Sequence, residues 1–287
     1  KHTRFATFCQ KNLQLTQHFS TIESMQKYIT ENKYSAIISG SDQVLNPNID
    51  DFELAFLFPF KTIAKKITYA ASTGNASPDD IRKIQHYLDD FVKISIREQK
   101  DIGKFDAKIA ARLSVVCDPV MLLRADAWNN MMEHPSEKPY LICYFLHKKL
   151  FCKEFAIAQK IAKERGLELK VINARFGPNS FRKGTIFDAG PGEFVNLIAN
   201  ASYVCTDSFH GTLFSLVFHK QFSSLDTKQN LHDTRKKGLL ESVGATAAYQ
   251  NVEDPLKICS TLDYKEIDCR MEEIRKSAAK FLEILDE

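Results

Sequence analysis

The stretch Ala201-Ser-Tyr-Val-Cys-Thr-Asp-Ser-Phe-His-Gly-Thr-Leu-Phe-Ser-Leu-Val-Phe218 sets the reading of the whole chain. Residues 203–206 form a short β-type run, and from Phe209 to Phe218 the apolar positions follow a helical pattern. Asp207 or Ser208 supplies an N-cap between them, so a helix starts directly beyond a strand. The first N–H groups of that helix and its positive dipole end then face whatever lies past the strand. His210 falls in the first turn, at the carboxyl end of a strand, where open α/β sheets hold their ligands. A helix end that favours anions, with an imidazole beside it, suits the handling of a phosphate and a proton. Taken alone, the same turn reads first as a capped helix whose histidine satisfies a neighbour, and the rest of the chain must supply the weight for function.

Working outward, strand-like and helix-like segments alternate. Strands are expected at 34–39, 66–71, 92–96 and 113–117, then at 140–146, 168–173, 203–206 and 221–225. Helices are expected between them, including one opened by Ser77-Pro-Asp-Asp80, one at 150–165 closed by Gly166, one at 193–200 and one near 238–243. A final helix covers about residues 264–285. Such alternation indicates βαβ units and mostly parallel sheets. The pattern breaks around Trp128 to Lys138, with Pro135 and Pro139, and again in a Gly/Pro-rich charged stretch after Asn173. The fold class is therefore α/β: two Rossmann-like lobes with a central cleft, the first at 1–128 and the second at 136–262. The helix at 263–287 is expected to pack back toward the first lobe. The opening residues, Phe5-Ala-Thr-Phe8 and then 22–29, read as a loop and a helix rather than a buried strand, so the first lobe reads as truncated.

Composition narrows the function classes. The chain has 287 residues, 44% hydrophobic and 26% charged, ordinary values for a globular protein. A net charge of +3 without a basic run gives no support for a nucleic-acid partner. The seven cysteines, at 9, 117, 143, 152, 205, 259 and 269, are scattered, odd in number and never in Cys-x-x-Cys spacing. That favours reduced thiols in a cytoplasmic protein over a zinc site or disulfide frame, and no metal is expected. No apolar run has membrane-spanning length. Neither Gly-x-Gly-x-x-Gly nor a Walker lysine loop is present, and the strand ends that carry polar residues are Gly40-Ser-Asp-Gln43, Ser72-Thr-Gly-Asn75, Arg97-Glu98 and Asp207-Ser-Phe-His210.

Six blocks, in order, resemble one family. They are Gly40-Ser-Asp-Gln-Val-Leu-Asn-Pro47, Tyr69-Ala-Ala-Ser72, Ser95-Ile-Arg-Glu98, Asp118-Pro-Val120, Gly190-Pro-Gly-Glu-Phe194 and Thr206-Asp-Ser-Phe-His-Gly211. Over roughly residues 34 to 245 the chain is similar to the polysaccharide pyruvyl transferases. The resemblance implies a two-lobed fold of the GT-B type. It also implies transfer of pyruvate from phosphoenolpyruvate to hydroxyls of a saccharide, as a ketal, with no cofactor. The partners implied are phosphoenolpyruvate and a saccharide, lipid-linked in one version, reached in the cytoplasm or at the inner membrane face. His210 matches the family's catalytic histidine and Arg97 its phosphate-binding arginine. Ser208 and Gly211 flank the donor phosphate on this reading.

Two positions depart from the family pattern: Ser208-Phe-His210 replaces Arg-x-His, and Leu45 stands where Trp is usual. Arg235 either restores the missing charge or is a solvated loop arginine. Arg97 has its own alternative, a salt bridge to Glu98 or Asp118. Gly40, Ser41, Asp42 and Gln43 line the acceptor side, with Asp42 and Gln43 bonding sugar hydroxyls or merely closing an Asx turn. Ser72, Asn75 and Glu193 are further cleft-lining candidates, Glu193 also as a helix cap. His147 and His219 read as structural or solvated. Two alternatives stay open: a GT-B glycosyltransferase using a nucleotide sugar, and a family-derived binding protein without activity.

Overall fold

The computed structural model describes residues 2–131, 138–147, 149–173, 184–226, 235–253 and 261–286. Pro135, the stretches 174–183 and 227–234, and Cys259 lie outside the described residues.

The chain opens with helices α1 (His2–Asn12) and α2 (Ile22–Glu31), then strands β1 (Ala36–Ser39) and β2 (Lys65–Thr68). Helix α3 (Pro78–Ile84), β3 (Phe91–Ile96), α4 (Ala107–Ala110), β4 (Leu113–Val115) and α5 (Pro119–Leu122) follow. Next come β5 (Tyr140–Tyr144), α6 (Phe151–Arg165), β6 (Glu168–Ile172), β7 (Thr185–Ile186) and α7 (Pro191–Ala199). The order ends with β8 (Tyr203–Thr206), α8 (Phe209–Val217), β9 (Phe222–Asp226), α9 (Arg235–Val243), β10 (Tyr249–Asn251) and α10 (Tyr264–Leu282).

Local signals account for the boundaries. Ser77 caps α3, its hydroxyl accepting from Asp80 N, while Pro78 takes the first helical position. Gly166 closes α6 in the left-handed conformation, φ 63°, which costs a residue without Cβ little. One expectation fails at the start: Phe5 to Phe8 are part of α1, not a loop.

The chain divides into two compact units. The N-terminal unit holds Thr16–Leu122 and the residues from Met271 onward; the C-terminal unit holds the residues up to Leu15 and Leu123–Arg270. The lobe expected at 1–128 therefore loses its first fifteen residues. Helix α1 lies against α7: Arg4 pairs with Asp188, 2.8 Å away, and with Glu193 in the first turn of α7. The division falls at Leu122/Leu123, and α10 is shared between the units, changing at Arg270/Met271.

Each unit is built on its own parallel sheet. In the N-terminal unit the strand order is β1-β2-β3-β4. Its core gathers Leu45, Leu57, Ile81, Leu88, Phe91, Ile94 and Ile96. In the C-terminal unit the order is β10-β9-β8-β5-β6-β7, again parallel throughout. Strand β8 is buried at every position, as a central strand of a sheet covered on both faces must be. This sheet has a switch point. From β5 the chain moves outward to β6 and β7, then returns to lay β8 on the other side of β5. Leu141 to Tyr144 of β5 pair in register with Tyr203 to Thr206 of β8, so the two strands end level with each other. The loops leaving them diverge there, which is where doubly wound sheets form their ligand crevice.

The turn after β1 leaves no room for a side chain. Gly40 has φ +130°, and a Cβ there would lie 2.1 Å from the Tyr69 carbonyl oxygen on the neighbouring strand end. Glycine is thus required both by conformation and by space. Gly40→Ala is expected to destabilise this unit by about 2 kcal/mol or more, read as a lower midpoint in urea unfolding.

Candidate functional site

At the end of β8 the side chains are committed before any ligand arrives. Thr206 Oγ1 donates to Tyr144 O across the switch point, 2.6 Å, and accepts from Ser208 N at 3.1 Å. Ser208 is the N-cap of α8: its Oγ accepts from Gly211 N at 3.3 Å, and its carbonyl accepts from Thr212. Ser208 is 3% exposed, so the hydroxyl expected beside a phosphate serves the helix instead. Gly211 lets α8 approach β8, since a Cβ would meet Thr206 Oγ1 at 2.4 Å. His210 stands in the first turn of α8, partly exposed, edge-on to Phe209. Eight of the nine α8 residues are buried, and His210 is the exception.

Asp207 is the centre of the site. Its side chain is fully buried, and its two oxygens hold the loop that leaves β5. Oδ1 accepts from Leu146 N at 2.7 Å and Oδ2 from His147 N at 2.8 Å. The His147 ring sits on the same carboxylate, with Nδ1 2.7 Å from Oδ2 and 44% of the side chain still exposed. The hydrogen bond to Asp207 raises the His147 pKa above its ordinary value, with burial and Lys236 opposing and Asp226 assisting.

Behind this pair lie buried charges. Lys236, 4% exposed, donates to Asp207 O at 2.8 Å and to Leu225 O, and lies 3.5 Å from Asp226 Oδ2. Glu154, in the first turn of α6, has no exposed surface and receives no N–H donor. Burial, and next the negative charge of Asp207, push its pKa up to about 8, while Lys236 draws it down. His147, Glu154 and Asp207 each present a ligand atom within 4.8 Å of the others. Both Asp207 oxygens already accept N–H bonds, and an ammonium lies alongside. The group is thus organised as a proton and charge network rather than as a cation cage.

The sequence singled out Arg235 as the missing cation. It is the first residue of α9 rather than a loop residue, and the buried cation at the strand ends is its neighbour Lys236. Lys236, the next residue of α9, carried no sequence signal that separated it from Arg235. His147 was likewise read as structural or solvated, and only the pairing of β5 with β8 brings it to Asp207. Glu193 accepts from Gly190 N at 3.1 Å and pairs with Arg4, so it caps α7.

In the N-terminal unit Arg97 follows β3, and its side chain is 4% exposed. Nε donates to Glu98 Oε1 at 2.9 Å, Nη1 to Asp118 Oδ2 at 2.7 Å, and Nη2 lies 3.5 Å from Asp42 Oδ1. The expectation that this fork grips phosphate gives way to a buried clamp, because two carboxylates already occupy the geometry a phosphate would need. Ser41 joins the clamp, 3.4 Å from Asp118 Oδ2 and 3.1 Å from Ala70 O. Gly40, Ser41, Asp42 and Gln43 line a cavity of about 620 Å³, with Ile38, Ala55, Phe56 and Phe58 among its apolar walls. That volume suits a small ligand, and Asp42 offers a 60%-exposed carboxylate to it. Ser72 does not contribute to the lining: it is fully buried and its hydroxyl accepts from Gly74 N. Asn75 is exposed and accepts from Asn46 Nδ2, which also donates to Gln43. These side chains are tied as turn closures. Leu45, fully buried, belongs to the core.

The raised pKa of Glu154 has a consequence for stability. Its folded value of about 8 lies above the ordinary 4.5, so the protonated form favours the fold below 4.5 and this contribution disappears as pH rises through 8. Glu154→Gln, neutral at every pH, is expected to gain stability relative to the parent across that window, by up to a few kcal/mol at about 1.4 kcal/mol per unit. Urea unfolding at a series of pH values measures it; a constant difference between parent and variant would contradict the assignment.

The comparisons with known proteins agree with this architecture. Among solved structures, the UDP-GlcNAc 2-epimerase from Methanocaldococcus jannaschii is similar with a TM-score of 0.56 and 12% identity, over 99% of this chain and 89% of that one. A putative UDP-N-acetylglucosamine 2-epimerase from Listeria monocytogenes gives 0.55 and 11%, over 93% and 76%. The UDP-N-acetylglucosamine 2-epimerase from Rickettsia bellii gives 0.53 and 12%, over 99% and 85%. At such identities the likeness establishes the fold, which is GT-B-like. None of the curated proteins is a significant match. The family model described as polysaccharide pyruvyl transferase matches residues 3–229, from α1 to beyond β9, and so covers the β8–α8 turn with His210 and the Asp207 network. The chain belongs to the polysaccharide pyruvyl transferase family, and is a transferase.

Proposed function

We propose that this transferase moves pyruvate from phosphoenolpyruvate onto two hydroxyls of a saccharide in a surface-polysaccharide precursor, leaving a ketal. The observation that carries the reading is His210, the one partly exposed residue in the otherwise buried first turns of α8, beyond the central strand of a sheet with a switch point. Ketal formation needs a proton on C3 of the enol, two oxygens on C2 and departure of phosphate. His210, partly exposed in the first turn of α8, is the acid for C3. The positive dipole end of α8 stabilises the phosphate, with Arg235, at the start of α9, as the added cation.

In the N-terminal unit, Asp42 and Gln43 on the cavity after β1 are the candidates for bonding sugar hydroxyls. Among the described residues no helix is long and apolar enough to cross a membrane. On this reading the enzyme works in the cytoplasm and meets a lipid-linked precursor at the inner membrane face.

Calorimetric titration separates this reading from nucleotide-sugar chemistry. Phosphoenolpyruvate is expected to bind and UDP not; binding of UDP alone would overturn the proposal. His210→Ala and His210→Gln should both lower phosphate release by about a hundred- to ten-thousand-fold while phosphoenolpyruvate still binds. Turnover near the parent level in His210→Gln would leave the residue as a hydrogen-bond donor only.

A further inference from the structure

We propose that His147, held by Asp207, is the base that takes the proton of the first acceptor hydroxyl to attack, and so a second catalytic residue in addition to His210. This inference rests on the pyruvyl-transfer reading, and deepens it.

The placement is specific. β5 and β8 are neighbours that end in register at Tyr144 and Thr206. His147 lies three residues beyond the first and His210 four beyond the second, so both leave the sheet at its switch point. Asp207 fixes the His147 loop by two backbone N–H bonds and holds ring Nδ1 at 2.7 Å. A carboxylate on Nδ1 keeps the proton there, which leaves the lone pair of the neutral ring on Nε2. The ring is 44% exposed although its partner is fully buried. The 44% of the side chain left in solvent keeps the ring accessible to a substrate hydroxyl while Nδ1 stays on the carboxylate.

The groups facing this pair set its strength. Asp207 and Asp226 raise the pKa of His147, burial and Lys236 lower it, and Glu154, protonated below about pH 8, adds no charge there. The direct hydrogen bond to Asp207 outweighs the rest and makes His147 a stronger base than a free imidazole.

The proton balance closes with two histidines. The first hydroxyl loses its proton to Nε2 of His147 and its oxygen pair forms the bond to C2. The enol π pair takes a proton from His210 onto C3. The second hydroxyl then bonds to C2 while the C2–O bond to phosphate breaks, its electron pair leaving with phosphate. The second hydroxyl gives its proton to His210, replacing the one passed to C3. His147 hands the first hydroxyl's proton to the departing phosphate, so both imidazoles return to their starting state.

The experiment has two independent readouts. Nitrogen NMR of the free protein should show the His147 ring protonated on Nδ1 when neutral; the Nε2-protonated tautomer would overturn the proposal whatever the substrate. Phosphate release from phosphoenolpyruvate is then followed with a panel of methyl hexosides as acceptors. If the parent releases none with any of them, the pyruvyl-transfer reading fails, not this assignment alone. Given turnover, His147→Ala and His147→Gln should each lower kcat by about a hundred-fold or more with KM for phosphoenolpyruvate little changed. Gln keeps a hydrogen bond to Asp207, so a purely structural role would leave it active. Added imidazoles should restore the Ala variant, with faster rates for the more basic ones. Parent-like turnover in the Gln variant, or no restoration by any imidazole, would overturn it.

Discussion

A fully buried carboxylate must find donors, and the way Asp207 finds them organises the C-terminal unit. Two of its donors are backbone N–H groups of the loop leaving β5, and a third is the ring of His147. One side chain on the β8–α8 turn thus fixes the course of a loop some sixty residues earlier in the chain. Removing a partner from such a group leaves a desolvated charge, which costs far more than the bond itself. The same turn is tightened from the other side by Thr206 and Ser208, whose hydroxyls close on Tyr144 O and Gly211 N. The first turn of α8 is therefore preorganised, and His210 is placed by groups that never need to touch a ligand.

The two units use buried charge in similar ways. In the C-terminal unit Lys236 sits between Asp207 O, Leu225 O and Asp226. In the N-terminal unit Arg97 sits between Glu98, Asp118 and Asp42. Both cations lie at the carboxyl ends of parallel strands, where loops leave the sheet and backbone carbonyls gather. Buried pairs of this kind add little net stability but penalise any other arrangement of the loops strongly. That is the property a site requires when its polar groups must wait for substrate in fixed positions.

Much of this was legible in the residues. The alternation of apolar runs, Ser77-Pro78, Gly166 and the Asp207-Ser208 cap are all short-range signals, and each produced the element expected. Six ordered blocks then pointed to the family that the chain belongs to. Other features were misread for a common reason. Arg97 at a strand end looks the same whether it meets a phosphate or Asp118, because the choice depends on a carboxylate 21 residues away. Phe5 to Phe8 look like a loop until Arg4 finds Asp188 and Glu193. The strands β7 and β10 hold two and three residues, too few to carry a period of their own.

The sequence by itself determined where strands and helices form and that a capped helix carrying His210 follows a strand, because capping and periodicity act within a few residues. Only the tertiary structure decided that β8 returns to lie against β5, since strand order comes from burial of whole sheet faces and crossover packing rather than from any local run. That single pairing is what brings His147 to Asp207, and leaves Lys236 rather than Arg235 as the buried cation beneath them.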